Sequence, residues 1–223
     1  MCQVQRLGEV ISRRRNSHEI QQLKRVEEIV RYSSESWRAR DKELLHNEKK
    51  WTVAEGAIYS DFDKATHVVD KPPEDIKRYY AGVDWGYSHY GSIVILAETD
   101  DGNTYIVDGT AEQFKYIDWW IDEAKRYIDK YGDITFYCDT ARTEHIYNFK
   151  RSKINAQYGS KSVVAGIEEV AKRWKNNKLF YVKDSIPRFE DEIYQYRWKQ
   201  NATKDQPMQE WDDVLDWCKL GRG

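Results

Sequence analysis

Three groups of aspartates stand where predicted strands end or a predicted helix begins. Asp84 follows the strand-like run 79–83, and Asp139 follows a second such run at 134–138. Asp212, Asp213 and Asp216 lie together at the predicted start of the last helix. Carboxylates that share a pocket repel one another unless a cation lies between them. Two hard divalent ions held in this way can bind a phosphate and hydrolyse a phosphodiester, so the pattern predicts a metal-dependent nuclease.

Most of these aspartates also have a purely structural interpretation. Asp84 and Asp139 could form turns or cap the following helix, and Asp212 and Asp213 could stabilise the first turn of a helix through its dipole. Asp216 fits that interpretation less well. It lies three residues after Asp213 and four after Asp212, so all three carboxylates share one helical face and repel each other. The three groups taken together therefore favour a compensating cation.

The composition predicts one substantial core and an intracellular protein. The chain has 223 residues and a net charge of −2, so it has no overall positive field of the kind that indicates a nucleic-acid partner. Its three cysteines are widely separated and form neither a metal-ligand spacing nor a disulfide framework, which fits a reducing cytosol. The sequence shows no signal-peptide run and no segment long enough to cross a bilayer. We expect a soluble protein with no membrane partner.

The chain is predicted to begin with a charged helical arm. Apolar residues recur at helical spacing between Ile20 and Val30, leaving one narrow stripe that needs a partner surface. The clearest break follows at residues 70–75, which include two adjacent prolines. We therefore predict an N-terminal helical arm over residues 1–70 and a folded domain over residues 71–223.

The folded domain is predicted to be α/β. Short strands are expected at 79–84, 92–97 and 104–108, with a hairpin turn at 100–103. A helix is expected next, with Phe114, Ile117, Ile121, Ala124 and Ile128 on one face. Helices and strands alternate after it, and Pro187 opens a further helix. This order predicts a mixed sheet with helices on both faces.

Residues 51–219 resemble the C-terminal nuclease domain of the large terminase subunit of tailed bacteriophages, the DNA-packaging motor. The matching stretches occur in the order of that family, at residues 51–59, 81–87, 137–141, 159–167, and 204–207 with 211–216. The resemblance implies a ribonuclease H-like fold whose acidic cluster lies at one edge of a mixed sheet. It also implies two Mg²⁺ or Mn²⁺ ions and endonucleolytic cutting of double-stranded viral DNA during genome packaging.

The resemblance also assigns roles to the aspartates. Asp84 matches the first metal ligand and Asp139 the second, while Asp213 and Asp216 match the terminal pair. Asp213 stands where many relatives have histidine, which keeps an anionic ligand and favours oxygen-preferring ions. Asp84, Asp139 and Asp216 are the expected catalytic residues, with Asp213 as a further metal ligand. Asp212 is expected to be a helix-start residue, with ligation as the alternative.

The remaining expectations concern partners. Lys204, Lys150 and Arg151 are candidates for contacts to the DNA backbone, and the alternative for each is a solvated surface side chain. The family implies the small terminase subunit and the portal or prohead as partners, in the host cytoplasm. The sequence contains no phosphate-binding Gly-x-x-x-x-Gly-Lys-Ser/Thr motif, so we expect no ATP binding and an arm that leads towards a missing ATPase domain. Two alternatives remain open: another ribonuclease H-like nuclease, such as a resolvase or integrase, and a non-catalytic module that docks to DNA or the prohead.

Overall fold

The computed structural model describes residues 56–160 and 162–199, together with Pro207 and Leu215. The chain divides into two compact units, Met1–Lys50 and Trp51–Gly223, and every described residue belongs to the second. The predicted helix of the N-terminal arm lies outside the described residues. So do Lys204, Asp212, Asp213 and Asp216.

The described residues form a mixed sheet of seven strands in the order β1-β7-β4-β3-β2-β5-β6. The central strand β3 is antiparallel to both of its neighbours, β2 and β4, as the predicted hairpin requires. On one side β5 and β6 join in parallel, and on the other side β7 and β1 do the same. The strands are β1 (Val68–Val69), β2 (Ile76–Asp84), β3 (Gly91–Thr99), β4 (Thr104–Glu112), β5 (Thr135–Cys138), β6 (Ala156–Tyr158) and β7 (Leu179–Val182).

Helices cover both faces of this sheet, which confirms the predicted α/β architecture. The helices are α1 (Lys64–His67), α2 (Ile117–Tyr131), α3 (Thr143–Arg151), α4 (Val163–Lys175) and α5 (Phe189–Ile193), with a 3-10 turn at Thr140–Arg142. The face that packs against α2 and α3, here called the α2 face, buries Trp120, Tyr127 and Phe149. The opposite face, here called the α4 face, packs against α4 and α5.

Strand β3 shows why the sheet must be covered on both sides. Seven consecutive residues of β3, beginning at Gly91, are buried. Successive side chains of a strand point to opposite faces. Ile93 and Ile95 therefore belong to the core of the α2 face, whereas Val94 and Leu96 belong to the core of the α4 face. Such a continuous apolar run is typical of a strand buried on both faces.

Helix α2 begins later than predicted. Its N-cap residue Tyr116 has an extended backbone, and the first helical residue is Ile117. The prediction that Phe114 lies on the buried face of this helix is therefore wrong, because Phe114 precedes the helix and is exposed. Ile121 and Ala124 are buried as predicted.

Residues before the predicted boundary at residue 70 contribute to this domain. Ile58, Tyr59 and Phe62 are buried in the core of the α4 face. Val68 and Val69 form the edge strand β1 beside β7. We therefore propose that the arm ends near residue 50, where the compact unit begins. Within the described residues, no helix has the length and apolar character required to span a membrane.

Candidate functional site

Strands β2 and β5 bring Asp84 and Asp139 to the same edge of the sheet. The two strands are parallel neighbours, with Val83 in register with Cys138. The backbone N–H of Asp139 donates a hydrogen bond of 2.9 Å to the carbonyl oxygen of Val83. Since paired strands lie about 4.8 Å apart, the two aspartates are neighbours across the sheet.

Both aspartate side chains point to the α4 face. Val83 and Cys138 are buried in the core of the α2 face, and the residue after each points the opposite way because side chains alternate. Tyr80 lies four residues before Asp84, and Tyr137 lies two residues before Asp139, so each tyrosine points to the same face as its aspartate. The two tyrosine rings meet on that face, with centroids 6.4 Å apart. Two carboxylates are therefore directed to one side of one edge of the sheet.

The loop after Asp84 closes too tightly for side chains at two of its positions. A Cβ atom added to Gly86 would lie 2.3 Å from the backbone of Tyr90. A Cβ atom added to Gly91 would lie 2.6 Å from the nitrogen of Gly86 and 3.1 Å from the carbonyl oxygen of Asp84. Glycine is required because it has no Cβ, and the closed loop fixes the backbone at Asp84.

Trp85 joins the two acidic segments from the α2 face. Its indole Nε1–H donates a hydrogen bond of 3.0 Å to the carbonyl oxygen of Asp139. Its ring packs edge-on against Phe149 of α3 at a centroid distance of 5.1 Å and against His145 at 5.0 Å. The side chain adjacent to Asp84 therefore also holds the backbone of Asp139 in place.

The carboxylate of Asp139 caps the turn that follows it. Its Oδ1 accepts a hydrogen bond of 3.2 Å from the backbone N–H of Ala141. The interpretation of Asp139 as a cap of the following turn is therefore confirmed. The cap engages one oxygen, and a carboxylate has a second oxygen with which to bind a cation. Capping thus orients the side chain and is compatible with metal binding.

Ser92 is a further polar residue at this edge. It lies directly opposite Asp84 in the register of β2 and β3, and it is fully buried. Its Oγ has no hydrogen-bond partner among the described residues. Directly opposed residues of an antiparallel pair have Cβ atoms about 4.5–5.5 Å apart, which brings the hydroxyl within reach of the Asp84 carboxylate. No local sequence pattern predicts the place of Ser92 beside Asp84, because its position depends on the register of the hairpin.

The third acidic group cannot be placed beside these two, because Asp213 and Asp216 lie outside the described residues. Within residues 56–160, 162–199, 207 and 215, no three His, Cys, Asp or Glu side chains form a group that could hold a metal ion. Leu215 is buried in the core of the α4 face, the face to which Asp84 and Asp139 point. The assignment of Asp213 and Asp216 as ligands stays a prediction.

Two of the residues predicted to contact DNA, Lys150 and Arg151, belong to helix α3. The ammonium group of Lys150 lies 5.0 Å from the ring centroid of Tyr158. Tyr158 is in register with Cys138, the residue before Asp139, so Lys150 lies over the strand next to the acidic edge. Arg151 is exposed on α3. These positions are compatible with phosphate contacts.

Arg188 is a basic residue near the acidic edge that the sequence analysis missed. Its guanidinium lies 4.2 Å from the ring centroid of Tyr90, which precedes β3. It also forms an ion pair of 3.0 Å with Glu192, whose side chain is fully buried. Arg188 has a left-handed backbone, with φ of 70°, and no local sequence signal predicts either contact.

Comparison with solved structures shows the fold to which this arrangement belongs. Neither the protein-family models nor the curated proteins include a match to this chain. The large terminase of a thermophilic bacteriophage matches with a TM-score of 0.68 and 21% identity, covering 77% of this chain and 45% of that one. The chain thus spans a little under half the length of that terminase.

Nuclease domains solved separately match over most of their length. The P22 large terminase nuclease domain matches with a TM-score of 0.64 and 15% identity, over 76% of this chain and 92% of that one. The large terminase nuclease of thermophilic phage G20c with bound magnesium matches with a TM-score of 0.56 and 18% identity, over 75% and 96%. The predicted ribonuclease H-like fold of terminase nuclease domains is confirmed.

Proposed function

We propose that this chain is the nuclease module of a phage large terminase and cuts double-stranded DNA during genome packaging. The observation that carries the proposal is the placement of Asp84 and Asp139 on neighbouring parallel strands, at one edge and on one face of the sheet. The fold is that of terminase nuclease domains, and the G20c domain holds magnesium. The family resemblance of the sequence and the fold of the structure therefore support the same activity.

The residues present fit a divalent cation. Asp84 and Asp139 supply the hard oxygen ligands that Mg²⁺ and Mn²⁺ prefer. We propose that Asp213 and Asp216 complete the site, and the burial of Leu215 on the same face supports this. Two ions held there would lower the pKa of an attacking water and neutralise charge on the leaving oxygen.

The chain's own residues would hold this site rigid and position the DNA. Asp84 would hold a cation, and its backbone is fixed by the tight loop at Gly86. Asp139 is oriented by its cap and by the Trp85 hydrogen bond. Lys150, Arg151 and Lys204 are proposed to bind phosphates, which carry no sequence information. Cutting should therefore tolerate many DNA sequences.

In the assembled motor, the proposed partners are double-stranded DNA, the small terminase subunit and the portal or prohead. Those contacts belong to the whole terminase, of which the chain would be the cutting part.

Cleavage of supercoiled plasmid in Mn²⁺ and in Mg²⁺ tests the proposal. The wild-type chain should nick and linearise plasmid, and Asp84→Asn and Asp139→Asn should abolish cutting. Asp122→Asn is the matched control, because that aspartate is exposed on α2 and its ion pair with Lys125 is a surface one of 3.8 Å. Plasmid left intact by the wild-type chain over a range of both metals would overturn the proposal and support the docking alternative. Preferential cutting of branched junctions or RNA–DNA hybrids would instead support another ribonuclease H-like nuclease.

A further inference from the structure

Three exposed aromatic side chains form one cluster, here called the aromatic platform: Tyr87, Phe114 and Tyr116. They are 41%, 59% and 70% exposed, respectively. The ring of Tyr87 contacts Phe114 edge-on at a centroid distance of 5.7 Å and Tyr116 at 5.2 Å. The hydroxyl of Tyr87 donates a hydrogen bond of 3.0 Å to that of Tyr116. The three rings therefore form a single exposed surface.

The platform lies at the edge of the sheet that carries the acidic pair. Strands β2 and β4 are both antiparallel to β3, so they run in the same direction and end at the same edge. Tyr87 comes three residues after Asp84, the last residue of β2, and Phe114 comes two after Glu112, the last residue of β4. The platform therefore lies at the same edge of the sheet as the proposed cleavage site.

The platform is held rigidly. The backbone N–H of Phe114 donates a hydrogen bond of 2.7 Å to the carbonyl oxygen of Tyr87, and the side chain of Gln113 donates one of 2.9 Å to the carbonyl oxygen of Ser88. These bonds join the loop after β2 to the loop after β4.

Phe114 is also in an unfavourable backbone conformation. Its φ is 57°, a left-handed value that is uncommon for a bulky residue and costs free energy that the surroundings must offset. The strained backbone presents a large apolar ring to solvent. Strain and exposure together indicate that the ring has a use in binding.

We propose that the aromatic platform stacks against an unpaired base of the DNA strand that lies at the acidic edge. Every base has a π-face that stacks on aromatic rings without sequence preference. Base faces are hidden inside a duplex and become available at frayed ends, gaps and overhangs. The inference rests on the proposed nuclease function and deepens it, since it adds contact with unpaired bases to contact with duplex phosphates.

Lys115 supports DNA as the ligand of the platform, because it places a positive charge between Phe114 and Tyr116 in the chain. Its ammonium group lies 5.1 Å from the ring centroid of Trp119 and 3.9 Å from Glu112. A nucleotide combines a flat ring with an anionic phosphate, and aromatic side chains beside a lysine match both parts.

A binding experiment without metal separates stacking from cleavage. The probe is a duplex with a single-stranded overhang that contains 2-aminopurine, whose fluorescence falls when the base stacks. It is titrated with protein in EDTA. The wild-type chain should quench the probe, and the double variant Phe114→Ala, Tyr116→Ala should bind it about 5- to 100-fold more weakly. For a blunt duplex of the same length, the double variant should lose much less affinity relative to the wild-type chain.

Two single variants make the result specific. Phe114→Gly suits the left-handed backbone, so its melting temperature should be equal or higher while its affinity for the overhang falls. Tyr147→Ala is the matched control, since Tyr147 is 67% exposed on α3 and lies outside the platform. Tyr147→Ala should bind the overhang as the wild-type chain does.

Plasmid cleavage, measured in parallel, distinguishes failure of this inference from failure of the proposed function. Equal quenching and affinity for the wild-type chain and Phe114→Gly would overturn the stacking proposal even if plasmid is cut. The same holds if the wild-type chain binds overhang and blunt duplex equally. Platform-dependent binding without plasmid cleavage would support the stacking surface and overturn the proposed nuclease function.

Discussion

Replacing Ser92 by alanine is expected to stabilise the metal-free protein while weakening its binding of Mn²⁺. The Oγ of Ser92 is buried without a hydrogen-bond partner among the described residues. An unsatisfied buried polar group costs about 1–3 kcal/mol. Alanine keeps the Cβ atom and removes the hydroxyl, so the free energy of unfolding in EDTA should rise by about 1 kcal/mol or more.

The same substitution should weaken the binding of Mn²⁺, although it raises the stability of the metal-free protein. Ser92 lies opposite Asp84, an expected metal ligand. In the metal-bound protein we expect this hydroxyl, which has no partner among the described residues, to donate a hydrogen bond to the Asp84 carboxylate and orient it. Losing such an outer partner typically weakens metal affinity about 10- to 100-fold. Urea denaturation in EDTA measures the first quantity, and titration with Mn²⁺ followed by electron paramagnetic resonance measures the second.

Ser185→Ala provides the control for Ser92→Ala. The hydroxyl of Ser185 donates a hydrogen bond of 3.4 Å to the carbonyl oxygen of Ile106, so its removal should leave stability equal or lower and Mn²⁺ affinity unchanged. If Ser92→Ala lowered stability in EDTA and left Mn²⁺ affinity unchanged, the hydroxyl would be a structural group and the reasoning would be refuted.

Three further predictions concern the framework of the site. Gly86→Ala should lower the free energy of unfolding by about 2–3 kcal/mol, because the added Cβ would lie 2.3 Å from the backbone of Tyr90; urea denaturation measures this, and an unchanged midpoint would contradict the geometry of the loop. Arg188→Ala should lower the free energy of unfolding by about 1.5–3 kcal/mol, since it removes a charged hydrogen bond to the buried Glu192 carboxylate. The double variant Arg188→Ala, Glu192→Gln should recover part of that loss in urea denaturation, and an unchanged midpoint for Arg188→Ala would contradict the role of this ion pair. Burial raises the pKa of the Cys138 thiol from 9.0 to about 12. The stability that comes from keeping this thiol neutral is present in full below the unfolded pKa and is lost as pH rises above it. Cys138→Ala should therefore lose less stability than the wild-type chain in alkaline denaturation experiments, and an equal loss would contradict the burial argument.

Local patterns in the sequence predicted the central hairpins well. The strands predicted at 79–84, 92–97 and 104–108 correspond to Ile76–Asp84, Gly91–Thr99 and Thr104–Glu112. Their apolar runs and the turn between β3 and β4 are short-range signals, so they can be read without knowledge of the fold. The adjacency of Asp84 and Asp139 was expected because each follows a predicted strand, and because the family resemblance implies an acidic cluster at one edge of the sheet.

Features that depend on pairing between distant segments could not be predicted from local sequence patterns. Ser92 faces Asp84 only because β3 pairs with β2 in one register, and a shift of one residue would turn its side chain to the other face. The contact of Arg188 with Tyr90 joins segments separated by most of the domain. Phe114 was misplaced because its spacing continued the helical pattern, whereas the extended backbone at Tyr116 delays the start of the helix.

Anomalous scattering from a crystal soaked with Mn²⁺ would locate the proposed metal site itself. We expect peaks at the edge where β2 and β5 end, bound by carboxylate oxygens of Asp84 and Asp139 and completed by Asp213 and Asp216. Peaks elsewhere, or an occupied site that includes neither Asp84 nor Asp139, would contradict it.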